Sequence, residues 1–283
     1  SLAQGSASMS DPRLTPANGR VAHVSLKGLV PADRYVEGVA MRVVAPLADL
    51  LVAPAAARDR QMLMGDRLLV LDGREGFAFV QSAKDGHCGY VAEAALGPDL
   101  APTHWVSAPA THLYPEPNLK RREIAALTLG ARLTISGDEG RFARTADGQF
   151  VPRVHLSPIG TWHSDPAGVA ESLLGTPYLW GGNSRQGIDC SGLVQAALLA
   201  CGIPCPSDSD LQEEALGKPL TAGTAFRRGD LLFWDGHVAM AMDDTRLIHA
   251  NARAMAVSLE GIAETIARVD AQGDGPLRVV RRL

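Results

Sequence analysis

One stretch constrains the fold more than any other: Gly175-Thr-Pro-Tyr-Leu-Trp-Gly-Gly-Asn-Ser-Arg-Gln-Gly-Ile-Asp-Cys-Ser-Gly-Leu-Val-Gln195. Gly181, Gly182 and Gly187 allow sharp backbone turns. Leu193, Val194, Ala197, Leu198 and Leu199 then recur at helical spacing. The pattern predicts a turn region that delivers Cys190 to the start of a helix, with Asp189 or Ser191 as its cap. A thiol there meets the positive end of the helix dipole, the setting a nucleophilic cysteine needs. The competing reading is a buried structural cysteine, because cysteine is among the most buried residue types.

The rest of the chain sets the scale. With 283 residues there is room for about two domains, or three small ones. Hydrophobic content of 46% and charged content of 20% are globular values. A net charge of −4 gives no electrostatic case for nucleic acid or an anionic membrane surface, and neither partner is expected. Cys88, Cys190, Cys201 and Cys205 form neither a disulfide framework nor a zinc-ligand spacing. No metal or cofactor is expected. No run of 18 apolar residues occurs. Ser1–Ser6 lacks the features of a signal peptide, so a cytoplasmic location is expected, with a periplasmic or secreted one if a leader has been removed. A monomer is expected.

Residues 1–40 are rich in Ser, Pro, Gly and Asp and read as an extended arm with one short strand, Val21–Ser25. Short β runs follow at Met41–Ala45, Asp66–Leu71, Gly76–Gln81 and Gly89–Ala92, with turns expected at Asp72-Gly73 and Asp85-Gly86. The pattern then repeats. Trp105–Pro115 corresponds to Met41–Leu51, and Gly130-Ala-Arg-Leu-Thr-Ile to Gly65-Asp-Arg-Leu-Leu-Val, an offset of 65 residues at the central glycine. Two copies predict tandem small barrels over 41–100 and 101–160. Residues 161–283 begin with a helix at Asp165-Pro166 and end in strand candidates, an α+β arrangement.

A cysteine nucleophile needs a base within hydrogen-bond reach and a third group to orient that base. His237 opens an apolar strand, and His249 ends the next one. Antiparallel strands joined at Asp243-Asp244 bring the two side chains close. His237 is the expected base and His249 its orienting partner. Taken singly, each reads more readily as a surface or capping histidine; the two together, downstream of the Gly-rich Asp-Cys-Ser-Gly turn, shift the reading towards catalysis.

At this point a family resemblance emerges. Tyr178-x-Trp-Gly-Gly, Gly187–Gln195, Arg228-Gly-Asp-Leu-Leu-Phe-Trp, Gly236-His-Val-Ala and Leu247-Ile-His-Ala, in that order, resemble the NlpC-type cell-wall cysteine peptidases. The resemblance implies a reduced papain-like fold, with Cys190, His237 and His249 as the catalytic set and Tyr178 helping to stabilise the oxyanion. The strand-rich repeats resemble bacterial SH3-like barrels. The implied fold is therefore multidomain: two all-β SH3-like barrels followed by an α+β papain-like catalytic domain. The implied reaction is hydrolysis of the γ-D-glutamyl-L-diamino acid bond of peptidoglycan stem peptides, with diaminopimelate or lysine as diamino acid.

A subgroup with such barrels requires a free N-terminal L-Ala. Its recognition residues map to Asp189, Ser191 and Ser209, with Ser207 standing where arginine is common. From the first barrel, Tyr90 is the candidate tyrosine and Asp59 the nearest acid. Two other readings stand beside this one: a non-catalytic peptidoglycan-binding protein, and an amidase or acyltransferase using the same triad.

Overall fold

The computed structural model describes residues 11–283. The first ten, part of the expected arm, lie outside the described residues. The chain divides into two compact units, one covering almost everything up to Ile159 and the other essentially Gly160–Leu283.

The first unit opens with the arm, which is folded. Val21–His23 pairs in parallel with Arg34–Val36. Val21 and Val36 pack with Leu71, Phe79 and Cys88 in a small apolar cluster. Polar contacts seat the arm further. Asn18 donates to Asp72, and Arg20 and Arg34 form ion pairs with the same carboxylate. This corrects the turn expected at Asp72-Gly73. Both residues lie inside the strand Arg67–Arg74, beside an irregularity between Val70 and Asp72, and the chain reverses at Glu75-Gly76. An Asp-Gly pair reads as a turn from sequence because its polar side chain normally faces water. Here the arm supplies the partners, and Asp72 is buried.

A seven-stranded antiparallel sheet follows, in the order Arg58–Leu63, Leu47–Leu51, Cys88–Ala92, Phe77–Ser82, Arg67–Arg74, Val39–Val43 and Leu96–Pro98. It curls around Val43, Ala48, Leu50, Met62, Leu68, Ala78, Val80 and Val91. Ala48 and Leu50 point inward on alternate positions, as the period of a strand requires. Arg58–Leu63 is hidden from that reading because Arg60 and Gln61 are buried in it. Gln61 is satisfied by a cross-strand hydrogen bond to Asp49, 3.1 Å away. A second set of short sheets runs over residues 104–158 around Val106, Leu113, Leu127, Ala131, Leu133 and Val151.

The second unit holds a six-stranded antiparallel sheet in the order Lys218–Pro219, Val279–Arg282, Leu231–Trp234, His237–Ala241, Arg246–Asn251 and Ala256–Gly261. Four helices accompany it: α1 (Pro166–Glu171), α2 (Cys190–Ala200), α3 (Ser209–Ala215) and α4 (Ile262–Ala271). α2 is buried nearly all round, so it forms the centre of the unit rather than a surface layer. α4 is amphipathic. Ile262, Ile266 and Val269 pack with Leu232, Ala239, Ala241 and Leu247 of the sheet. Asp165 precedes Pro166 as expected, but its carboxylate pairs with Arg228 at 2.7 Å instead of capping α1.

Candidate active site

The site starts from the Gly-rich turn. Gly181 adopts φ +75°, in the left-handed region that glycine tolerates without strain. Gly182 faces the Gly187 backbone so closely that a Cβ would lie 2.4 Å from the Gly187 carbonyl oxygen. These features let Asn183-Ser184 fold back on Gly187-Ile188 as a tight hairpin. Asp189 then caps α2. Its Oδ1 accepts from the Gly192 amide at 2.8 Å and from the Ser191 hydroxyl at 3.3 Å, while Oδ2 accepts from the Gly181 amide at 3.1 Å. One carboxylate thus fixes both the helix start and the turn before it. Cys190 is the first residue of α2, buried at 8% exposure. All four cysteines are thiols.

α2 packs against the strands that carry the two histidines. Those strands pair antiparallel, with Met240 opposite Ile248 and Ala241 opposite Leu247. The pairing brings His237 Nε2 within 2.8 Å of His249 Nδ1, their rings inclined at 64°. His249 Nε2 lies 2.8 Å from Glu260 Oε1. Arg268 of α4 donates to both oxygens of Glu260, at 2.8 and 3.0 Å. The Trp234 ring closes on His237 from the neighbouring strand, centroids 5.6 Å apart.

The charge states follow from these surroundings. Burial pushes the His237 imidazole down to about 3, and the Arg268 charge, with that of His249 whenever it is protonated, acts in the same direction. Burial also lowers His249, and the hydrogen bond to Glu260 only partly offsets it. Burial opposes ionisation of Glu260, but hydrogen bonds from His249 and Arg268 outweigh it, and the carboxyl stays below its ordinary value. At neutral pH the row is a carboxylate followed by two uncharged imidazoles, able to take a proton at the His237 end.

The remaining candidates fall in two groups. Tyr178 bridges Ile188 in parallel, and its amide donates to the Met255 carbonyl, so it runs beside the hairpin that leads to Cys190. Ser191 lies in the first turn of α2, and Ser209 opens α3. Gln212, fully buried, ties these two segments together by donating from Nε2 to the Ser191 and Pro206 carbonyls at 2.9 and 3.0 Å. Tyr90 and Asp59 belong to the first unit. The Tyr90 hydroxyl accepts from Asn18 at 3.1 Å, and Asp59 lies 2.7 Å from His87 Nε2. Sequence reasoning missed Gln212 and Glu260. For Glu260 the cue lies in strand register: His249 pairs with Ser258, and Glu260 lies two residues further along, on the same face.

A thiol at the start of a central helix, facing an antiparallel sheet that holds a two-imidazole row, defines a papain-like cysteine peptidase domain. Residues 175–270 match the NlpC/P60 family, and residues 50–96 match the bacterial dipeptidyl-peptidase SH3 domain. Among curated relatives, the γ-D-glutamyl-L-lysine dipeptidyl-peptidase of Bacillus subtilis (strain 168) is 28% identical over 234 residues, 73% of this chain and 76% of that protein. Dipeptidyl-peptidase 6 of Lysinibacillus sphaericus is 39% identical over 96 residues, and the match spans 34% of this chain and 35% of that relative. The crystal structure of an NlpC/P60 family protein from Bacillus cereus ATCC 10987 superposes with a TM-score of 0.72, covering 86% of this chain and 99% of that one at 20% identity. The NlpC/P60 domain and a preceding SH3-like domain are therefore both present in this chain.

Proposed function

We propose that the protein is a cysteine endopeptidase that cleaves the γ-D-glutamyl-L-diamino acid bond of small peptidoglycan stem peptides with a free N-terminal L-Ala. The observation that carries the chemistry is the row His237–His249–Glu260, held at 2.8 Å at each step beside the helix that begins with Cys190. The substrate class is supported by likeness to the γ-D-glutamyl-L-lysine dipeptidyl-peptidase of Bacillus subtilis across 76% of its length.

In this reading His237 takes the Cys190 proton, and the sulfur attacks the γ-carbonyl carbon of D-Glu. The tetrahedral oxyanion receives hydrogen bonds from the Cys190 amide and the Tyr178 hydroxyl. Its collapse breaks the C–N bond, and the imidazolium gives its proton to the departing amine of the diamino acid. Water, deprotonated by the same imidazole, attacks the thioester and releases the L-Ala-γ-D-Glu dipeptide. Asp189, Ser191 and Ser209 line the recognition side, where a carboxylate pairs with the α-ammonium and hydroxyls hold the D-Glu α-carboxylate. Tyr90 and Asp59, in the first unit, are the further recognition candidates that the family resemblance offers. A monomer acting on soluble muropeptides in the cytoplasm fits this substrate. Light scattering and cell fractionation test those two points.

The test of the reaction is hydrolysis of L-Ala-γ-D-Glu-L-Lys and of the diaminopimelate peptide, with products identified by mass. Wild type cleaves after D-Glu, and Cys190→Ala loses on the order of a thousandfold or more. An N-acetylated peptide reacts far more slowly. An inactive wild type, or an alanine variant with undiminished rate, overturns the proposal.

A further inference from the structure

The row of imidazoles runs further than a base and its orienter need. Its last member, Glu260, comes from the neighbouring strand and is fixed from α4. Arg268 contributes two hydrogen bonds and Thr265 a longer one at 3.3 Å. The side chain of Glu260 is only 12% exposed. Arg268 holds this arrangement although its own Nε is buried without a partner, so the geometry is maintained at a cost. We propose that Glu260 is a positioning residue of the catalytic row: it sets the tautomer of His249, and through it that of His237. The inference rests on the cysteine-peptidase reading of Cys190 and His237.

The argument is one of donors and acceptors. An ionised carboxylate only accepts, so His249 Nε2, 2.8 Å from Glu260 Oε1, carries a hydrogen. An uncharged His249 then has a lone pair on Nδ1. His237 Nε2, 2.8 Å from that atom, must donate to it. His237 is left with its lone pair on Nδ1, the nitrogen available for the thiol proton. Other arrangements disable the base. If His249 carried its hydrogen on Nδ1, His237 Nε2 would have to accept it. His237 would then bear its own hydrogen on Nδ1 and could take nothing from Cys190. A doubly protonated His249 has the same effect, and its burial disfavours that form. When His237 becomes an imidazolium during turnover, the Glu260 charge stabilises it through His249.

The charged groups around the row are Glu260, Arg268 and the exposed Arg253, whose Nη1 is 3.3 Å from Glu260 Oε2. Of the two arginines, Arg253 makes the longer contact and is 62% exposed, so the tautomer is assigned to Glu260 held by Arg268.

Nitrogen-15 NMR of histidine-labelled wild type reads the tautomers directly, before any substitution is made. Both rings are expected as the Nε2–H form at neutral pH. A protonated Nδ1 on either ring in the resting enzyme overturns the proposal. In Glu260→Gln the carboxamide can donate as well as accept, so the two rings are expected to populate mixed tautomers. The same variant is expected to lose about 10–100-fold in kcat with KM within about twofold, by analogy with the loss of other orienting partners. The pH profile of Cys190 alkylation by iodoacetamide is expected to shift as well. If Glu260→Gln keeps the wild-type tautomers and alkylation profile and loses only thermal stability, Glu260 merely anchors α4 and the proposal falls. Alkylation and NMR need no peptide. A wild type that cleaves no stem peptide therefore defeats the substrate reading while leaving this test intact.

Discussion

A histidine that takes a proton from a thiol at neutral pH has to be uncharged at rest, and burial is what keeps His237 so. Its imidazole is pushed down to about 3, and His249 is also lowered, whereas in an unfolded chain both titrate near 6.5. The sign of the linkage follows. Between about 6.5 and about 3 the unfolded chain binds protons that the folded one refuses, so folding stability rises with pH across that window. The contribution is complete above about 6.5 and is lost as pH falls toward 3. The melting temperature of wild type is therefore expected to drop steadily over this range. In His237→Gln the slope should be shallower, because one refused proton is gone. Equal slopes in the two proteins would show that His237 titrates normally in the fold. The placement of Cys190 at a helix start and of His237 and His249 on paired strands was legible in the sequence because turn, helix and strand signals flank each of them. Glu260 was not. A glutamate in a strand otherwise reads as a solvated position, and only the register that places His249 opposite Ser258 gives it its partner.

At the scale of elements, the sequence left the cap of α2 open between Asp189 and Ser191, and the structure assigns it to Asp189, with Ser191 donating to the same carboxylate. This gives Asp189 two separable duties, holding the helix start and, in the proposed function, meeting the substrate ammonium. Asparagine caps about as well as aspartate, whereas alanine does not cap. Asp189→Ala is expected to cost about 1–2 kcal/mol in urea unfolding, since the amides of Gly192 and Gly181 lose their acceptor. Asp189→Asn is expected to keep stability within a few tenths of a kcal/mol. It should raise KM for the free-amine peptide much more than for an N-acetylated one. An Asn variant with unchanged KM confines Asp189 to the cap. Elements whose polar residues face water were legible. Those that bury polar groups were not: the Arg58–Leu63 strand is masked by Arg60 and Gln61, and Asp72 mimics a turn because its partners come from the arm.

At the scale of the molecule, the 65-residue offset read in the sequence is accompanied by backbone devices that recur. Val43 donates to the Asp66 carbonyl and Val106 to that of Ala131, acceptors 65 residues apart. Glu93–Ala95 and Arg153–His155 are matching single turns, each leading into a three-residue strand. What the offset cannot reveal is how the two strand-rich segments of the first unit meet. Met64, just after the strand Arg58–Leu63, packs into the apolar cluster of residues 104–158, and its carbonyl accepts from the Arg132 amide at 2.8 Å. Gly65 makes that approach possible. Its φ of +84° lies in the left-handed region, and a Cβ there would sit 2.1 Å from the Arg132 carbonyl oxygen. Gly65→Ala therefore combines two costs, backbone strain and a clash that pushes the Arg132 segment away from Met64. Gly76 separates them, because its φ is +82° and nothing lies within 4 Å of its missing Cβ. Gly76→Ala is expected to cost about 1–2 kcal/mol, the strain alone. Gly65→Ala should cost about 3 kcal/mol or more, because a well-packed core does not yield to an inserted carbon without shifting. Urea unfolding of the two variants measures the difference. Equal losses would mean that the Met64–Arg132 contact contributes nothing to holding the two segments together.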